Sequence, residues 1–185
     1  MTNHFFNALT DVSQDSEDLP PVEKWNPGFC GEIDILIKAN GDWLHQGSII
    51  GRKKLSTLFS RVLIKQNSQY FLITPQEKMA IKVEWQPFVI VDFNIVKEAG
   101  VDHYLLTDNC NNKIKLTQVQ QLDFSTYQGL SLPIINVRRN LFASFSRSCY
   151  YRLIEQATIV KSEKKQVIQI TSAGVDFSLG RFDDL

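Results

Sequence analysis

Residues 33–41 read Ile-Asp-Ile-Leu-Ile-Lys-Ala-Asn-Gly, and they limit the fold more than any other stretch. Ile33, Ile35 and Ile37 alternate with Asp34, Leu36 and Lys38, which describes a strand with one buried face. Asn40-Gly41 then predicts a tight type I′ hairpin, because both residues tolerate positive φ. Asp42, Trp43, Leu44 and His45 form the return strand. A sheet that is apolar on one face needs a covering layer, and the chain supplies one soon after. Leu55, Leu58, Phe59 and Val62 stand at i, i+3, i+4 and i+7, the stripe of an amphipathic helix. Gly47-Ser48 provides a turn and a capping hydroxyl ahead of a helix opening on Arg52, and Asn67-Ser68 closes the segment.

A second helix is expected from an internal similarity. Arg52, Leu55, Phe59, Ser60 and Arg61 recur as Arg138, Leu141, Phe145, Ser146 and Arg147. The same offset carries Ile73 onto Ile159 and Glu77-Lys78 onto Glu163-Lys164. This reads as a duplication, with Asn136 or Arg138 opening the second helix and Leu141, Phe145, Cys149 and Leu153 as its stripe. Further strands are expected at 70–74, 80–84, 88–96, 104–107, 113–116, 157–161, 167–171 and 175–179. Residues 117–133 are expected to hold a strand and a loop. The fold class is then α+β: two tandem duplicated lobes, each an antiparallel β-sheet packed on one main helix, of β-β-α-β-β-β type. The expected division is a mobile acidic tail at 1–24, a first repeat at 25–98 and a second at 99–185. Within the tail, Phe5, Phe6 and Leu9 suit a short docking helix, against the alternative of a frayed terminus.

Charge narrows the function classes. The chain is neutral overall, with 20 acids and 20 bases. Residues 1–24 carry five acids and one base, net −4, so the remainder is +4. Arg52-Lys53-Lys54, Arg138-Arg139 and Lys164-Lys165 are basic clusters, but so small an excess and the lack of a nucleic-acid module argue against nucleic acid. Cys30, Cys110 and Cys149 are odd in number and far apart, which suits a reducing cytoplasm. The start lacks the basic flank and apolar run of a signal peptide, and no stretch is apolar for long enough to span a membrane.

Several short runs together resemble an uncharacterised bacterial family known as domain of unknown function 1285. They are Gly31-x-x-Asp34, Gly41-x-Trp43-x-His45-x-Gly47-Ser48-x-Ile50-x-Arg52, Leu72-x-Thr74-Pro75-x-Glu77-Lys78, Val83-Glu84-x-x-Pro87-Phe88 and Val137-Arg138-x-x-Leu141. The likeness covers residues 20–160. Asn40 stands where an aspartate is commoner, and Trp85-Gln86 departs from the family pattern before Pro87. The resemblance implies a cytosolic bacterial protein with no established activity.

Candidate chemistry centres on the first helix. Arg52 lies where free backbone N–H groups and the positive end of the helix dipole attract anions. A cation there is unfavourable for the helix alone, which points to a bound anion or a partner carboxylate such as Asp34 or Glu84. Trp43 and His45 share a strand face and suit an aromatic-floored, titratable site. Trp43, His45, Ser48, Arg52 and Arg138 are therefore the candidate ligand-binding residues. No His-x-x-x-His or Cys-x-x-Cys spacing supports a metal, and no P-loop or Rossmann glycine pattern supports a nucleotide cofactor. Cys30, His45 and Asp34 share residue types with a nucleophilic triad but none of its motifs. The expectation is a non-enzymatic cytoplasmic ligand-binding or regulatory module of a signalling kind, recognising a small anionic ligand or an acidic partner segment. It needs no cofactor, nucleic acid or membrane, and its oligomeric state is open. The alternatives are a small hydrolase or transferase with His45 as general base, and a protein–protein adaptor.

Overall fold

The computed structural model describes residues 19–162 and 165–181. The expected acidic tail lies outside the described residues up to Asp18, as do Phe5, Phe6, Leu9, Glu163 and Lys164. Inside them, Val22–Lys24 is a 3-10 turn with Val22 buried, so this end of the expected tail is folded. The chain divides into two compact units between Pro87 and Phe88. The sequence boundary at 98/99 falls later because the strand starting at Phe88 already belongs to the second sheet.

In the first unit, β1 (Phe29–Ile37), β2 (Trp43–His45) and β3 (Ser48–Ile49) form one antiparallel meander. Helix α1 (Lys53–Arg61) follows, then a second meander of β4 (Leu63–Gln66), β5 (Gln69–Ile73) and β6 (Lys78–Val83). The two meanders join where β1 lies parallel to β6, giving the order β3-β2-β1-β6-β5-β4. The sheet is therefore mixed rather than wholly antiparallel. Ile33, Ile35 and Ile37 are buried as their alternation predicts, with Leu63, Leu72 and Ile81 on neighbouring strands. From the predicted helical stripe, Phe59 and Val62 are fully buried, and the Phe59 ring lies 6.0 Å from that of Trp43.

The β1–β2 turn is not type I′. Lys38 N–H donates to the Asp42 carbonyl at 2.9 Å, closing a three-residue loop in which Gly41 alone has positive φ, +89°. That is the other common hairpin geometry, with a left-handed residue at its last position. Asn40 Oδ1 accepts from Asp42 N–H instead, and Glu84 Oε2 accepts from Ala39 N–H at 2.9 Å.

The second unit repeats this strand order but not the expected helix. Its meanders are β7 (Phe88–Glu98), β8 (Val101–Asp108) and β9 (Lys113–Lys115), then β10 (Leu122–Tyr127), β11 (Leu130–Arg138) and β12 (Leu141–Phe145). They again join through a central parallel pair, β7 with β12, in the order β10-β11-β12-β7-β8-β9. Between the meanders, where the first unit has α1, stands only the 3-10 turn Val119–Gln121. Helix α2 (Arg147–Glu155) comes after all six strands and leads to a three-stranded sheet, β13 (Thr158–Ser162), β14 (Lys165–Ser172) and β15 (Val175–Arg181). Ser172 fastens this sheet to the larger one: its hydroxyl accepts from Tyr104 N–H and donates to the Leu116 carbonyl.

The helix expected from Arg138 is thus a hairpin, and the 86-residue offset lays a helix onto a strand. Leu141 and Phe145 fit i, i+4, but with buried Ala143 between them they fit alternation equally well. Arg139-Asn140 makes a two-residue turn, with Arg139 at φ +51° and its carbonyl held by Asn136 Nδ2. The helix waits for Ser146, whose hydroxyl accepts from Cys149 N–H at 3.3 Å. Its buried stripe is Cys149 and Leu153, the second half of the expected one. Ser146→Ala should cost about 1 kcal/mol in a urea melt, the usual value of an N-cap hydroxyl. An unchanged midpoint would show that α2 does not depend on this cap.

Candidate functional site

The five sequence candidates separate on the structure. Trp43, His45 and Ser48 lie on one hairpin, with His45 directly opposite both Ile35 and Ser48. Trp43 is core: it is 3% exposed, packs on Phe59 of α1, and its indole N–H is buried without a hydrogen-bond partner. It does not floor an open pocket. His45, on the same strand face, is half-buried, and Ser48 is exposed at the hairpin edge. Four residues after Ser48, Arg52 is the N-cap of α1 in extended conformation (φ −85°, ψ 98°).

Arg52, Lys53 and Lys54 are all exposed, the first turn of α1 holds no acidic residue, and no side chain caps it. Among the described residues the Arg52 side chain has no hydrogen-bond or ion-pair partner. Neither expected internal partner, Asp34 or Glu84, pairs with it among the described residues; Glu84 Oε2 accepts from the Ala39 N–H instead.

Arg138 belongs to the second unit and to a strand, not to a helix start. Its Nη1 donates to Asn112 Oδ1 at 3.0 Å, and its guanidinium stacks on Phe88 with 5.0 Å to the ring centroid. The partner loop is built on Asp108, whose Oδ1 accepts from the N–H groups of Cys110 and Asn112 and whose Oδ2 accepts from Asn112 Nδ2. Burial raises the Asp108 carboxyl, while those hydrogen bonds and the Arg138 charge pull it back. Asn109 ties the loop to β7 through both directions of a backbone-like pair with Val89. Arg138 therefore fastens β11 to the β8–β9 turn.

Other reactive groups are occupied structurally. Burial pushes the Cys149 thiol up to about 11, so it carries no thiolate near neutrality. Cys30 is exposed and donates to the Gly28 carbonyl. Arg152 pairs with Asp92 and lies over Phe93, bordering a shallow depression. That hydrogen bond holds the exposed Asp92 carboxyl below its ordinary value. Among the described residues no group of three or more His, Cys, Asp or Glu comes together as a metal site.

One opening escaped sequence reasoning. A cavity of about 380 Å³ lies between β1 and β6, lined by Glu32, Asp34, Gln69 and Lys82 over Ile33, Ala80 and Ile81. Its sequence signal is Gly31, a glycine inside a strand, which marks an irregular ladder; here its φ is +112°.

Two family models match adjoining stretches of the chain. The N-terminal domain of the domain of unknown function DUF1285 matches residues 20–86, and the C-terminal domain matches residues 87–179. The chain belongs to the DUF1285 family. A crystal structure of a DUF1285 family protein from Silicibacter pomeroyi DSS-3 is similar over 95% of this chain and 96% of that one, at 28% identity and a TM-score of 0.78. A DUF1285 family protein from Shewanella baltica OS155 is similar over 65% of this chain and 90% of that one, at 27% identity and a TM-score of 0.54. No curated protein matches the chain. The two DUF1285 domains meet within a residue of the structural division at Pro87.

Two arginines that looked equivalent in the sequence should behave differently in this DUF1285 chain. Arg138→Ala should lower stability by about 2 kcal/mol, because it removes a stacking contact and strands a buried hydrogen-bond network. Arg52→Ala should stay within about 0.5 kcal/mol, as for other exposed positions. Chemical denaturation of both variants checks this, and equal losses would refute it. Asp92 gives a pH test. Its lowered value means that its pairing stabilises the fold above the ordinary carboxylate value of 3.8 and is lost as pH falls through the folded value. In Arg152→Ala, carboxyl NMR should find Asp92 titrating closer to 3.8, and the stabilisation that the pairing contributes above that value, neutral pH included, should be lost.

Proposed function

We propose that the chain is a non-catalytic binding module of regulatory type, in which the start of α1 receives the anionic group of a small ligand or of a partner's acidic segment. The observation that carries this reading is Arg52: an exposed guanidinium at a helix N-cap, without a partner among the described residues, followed by Lys53 and Lys54. A helix start that serves the fold alone is stabilised by a capping hydroxyl or a first-turn acid. α2 follows that rule with Ser146. α1 instead opens with three cations and no capping side chain, an arrangement that is unfavourable empty and favourable around an anion.

Ser48 and His45, paired across the hairpin that leads into α1, add a hydroxyl and an imidazole next to this start in the chain. Trp43 serves beneath them as support. Arg138 is left out, because Asn112 and Phe88 already engage it. Three free thiols, two of them buried, accord with a reducing cytoplasmic setting.

The test is a thermal-shift series with nucleotides, phosphorylated metabolites, small carboxylates and an acidic peptide, run on wild type and Arg52→Ala. A ligand at 100 times its dissociation constant adds about 2.7 kcal/mol. A stabilisation of several degrees, weakened by salt and lost in Arg52→Ala, is the expected result. Binding that survives Arg52→Ala, or no anion stabilising wild type, would overturn the assignment to α1.

A further inference from the structure

We infer that the opening between β1 and β6 is a second binding site, taking an amine-bearing zwitterion of the amino-acid or short-peptide class, with basic members preferred. The opening begins in the ladder. Glu32 is level with Ala80 and Leu36 with Lys82, so Ile33, Asp34 and Ile35 on β1 face the single residue Ile81 on β6. Two strands cannot keep a regular parallel ladder across such a mismatch. On its other side β1 keeps its ladder with β2, where the Asp34 carbonyl accepts from Gln46 N–H at 3.0 Å. What remains is a gap of about 380 Å³, at the lower end of the range for small-molecule sites.

The lining decides the ligand. Glu32 and Asp34 are two apart on β1, which puts both side chains on one face of the strand, with their Cα atoms about 7 Å apart. Lys82 and Gln69 stand across from them on β6 and β5, and Ala80 and Ile81 form a buried apolar floor. None of the side chains of Glu32, Asp34 and Lys82 has a hydrogen-bond or ion-pair partner among the described residues. Two carboxylates and one ammonium around a cavity have not neutralised one another, so each is available to a ligand. An ammonium group satisfies the Glu32–Asp34 side, and a carboxylate satisfies Lys82 with the Gln69 amide beside it. The lining's net charge of −1 favours a ligand with an extra cation, such as lysine or arginine, over a neutral or acidic amino acid.

This site is independent of the start of α1, and the experiment keeps the two apart. Amide chemical shifts of the full-length protein are followed during titration with L-lysine, L-arginine, glycine and L-glutamate. The expected result is saturable shifts at residues 32–36 and 80–82, with lysine and arginine binding at least about tenfold more tightly than glutamate. Asp34→Asn and Lys82→Gln, both at exposed side chains, should each weaken lysine by about tenfold, the effect of one charge-assisted hydrogen bond. Arg52→Ala should leave lysine binding unchanged. Absence of saturable shifts at millimolar ligand, equal affinity for lysine and glutamate, or binding indifferent to Asp34→Asn would each overturn the proposal.

Discussion

Each unit depends on one parallel strand pair, β1 with β6 and β7 with β12. A three-stranded meander is close to the smallest sheet that can be stable alone. The parallel pair fuses two such meanders edge to edge, so four would-be edges become two and the buried faces merge into one core. It also sets the chemistry of the surface. The first meander ends on β3 and the second begins on β4, at opposite edges of the joined sheet, so the chain must cross between them. In the first unit that connection carries α1, whose basic start is exposed.

The same strand order built twice separates what topology requires from what has been added. The connection in the second unit shrinks to a single 3-10 turn closed by Gln118 and Gln121, so an exposed helix start is not a necessity of the architecture. The second unit instead adds α2 and a separate three-stranded sheet, pinned by Ser172 and by the Tyr150 hydroxyl on the Leu179 carbonyl. The basic start of α1 is therefore a property of the first unit alone among the described residues.

What the sequence revealed followed from how local the determining forces are. The alternation of Ile33, Ile35 and Ile37 and the stripe ending in Phe59 and Val62 rest on neighbours within two turns of chain, and both are as the pattern predicts. The placement of His45 and Ser48 just ahead of Arg52 was legible for the same reason. Residues 138–147 misled because a five-residue identity with the α1 region outweighed an ambiguous apolar spacing. The turn that decides the matter, Arg139-Asn140, needs a positive φ that its residue types do not advertise. Arg138 could not be read because its partners, Asn112 and Phe88, come to it only through the pairing of distant strands. The parallel pairs and the cavity beside β1 depend on register between segments more than forty residues apart, where sequence pattern carries no direct signal.

Register also explains why one parallel pair is open and the other closed. β12 meets β7 in unbroken steps, Ala143 with Phe88, Ser144 with Val89 and Phe145 with Ile90, and their side chains are largely buried. β1 meets β6 with a three-against-one mismatch, preceded by Gly31 at φ +112°, a conformation that strains any residue with a Cβ. A mismatch in a central ladder forfeits backbone hydrogen bonds, and packing alone would favour its removal. The closed pair of the second unit demonstrates that this architecture does not need the opening. An irregularity that is avoidable, central to the sheet and lined by uncompensated charges of both signs is the kind of feature that function, rather than folding, accounts for.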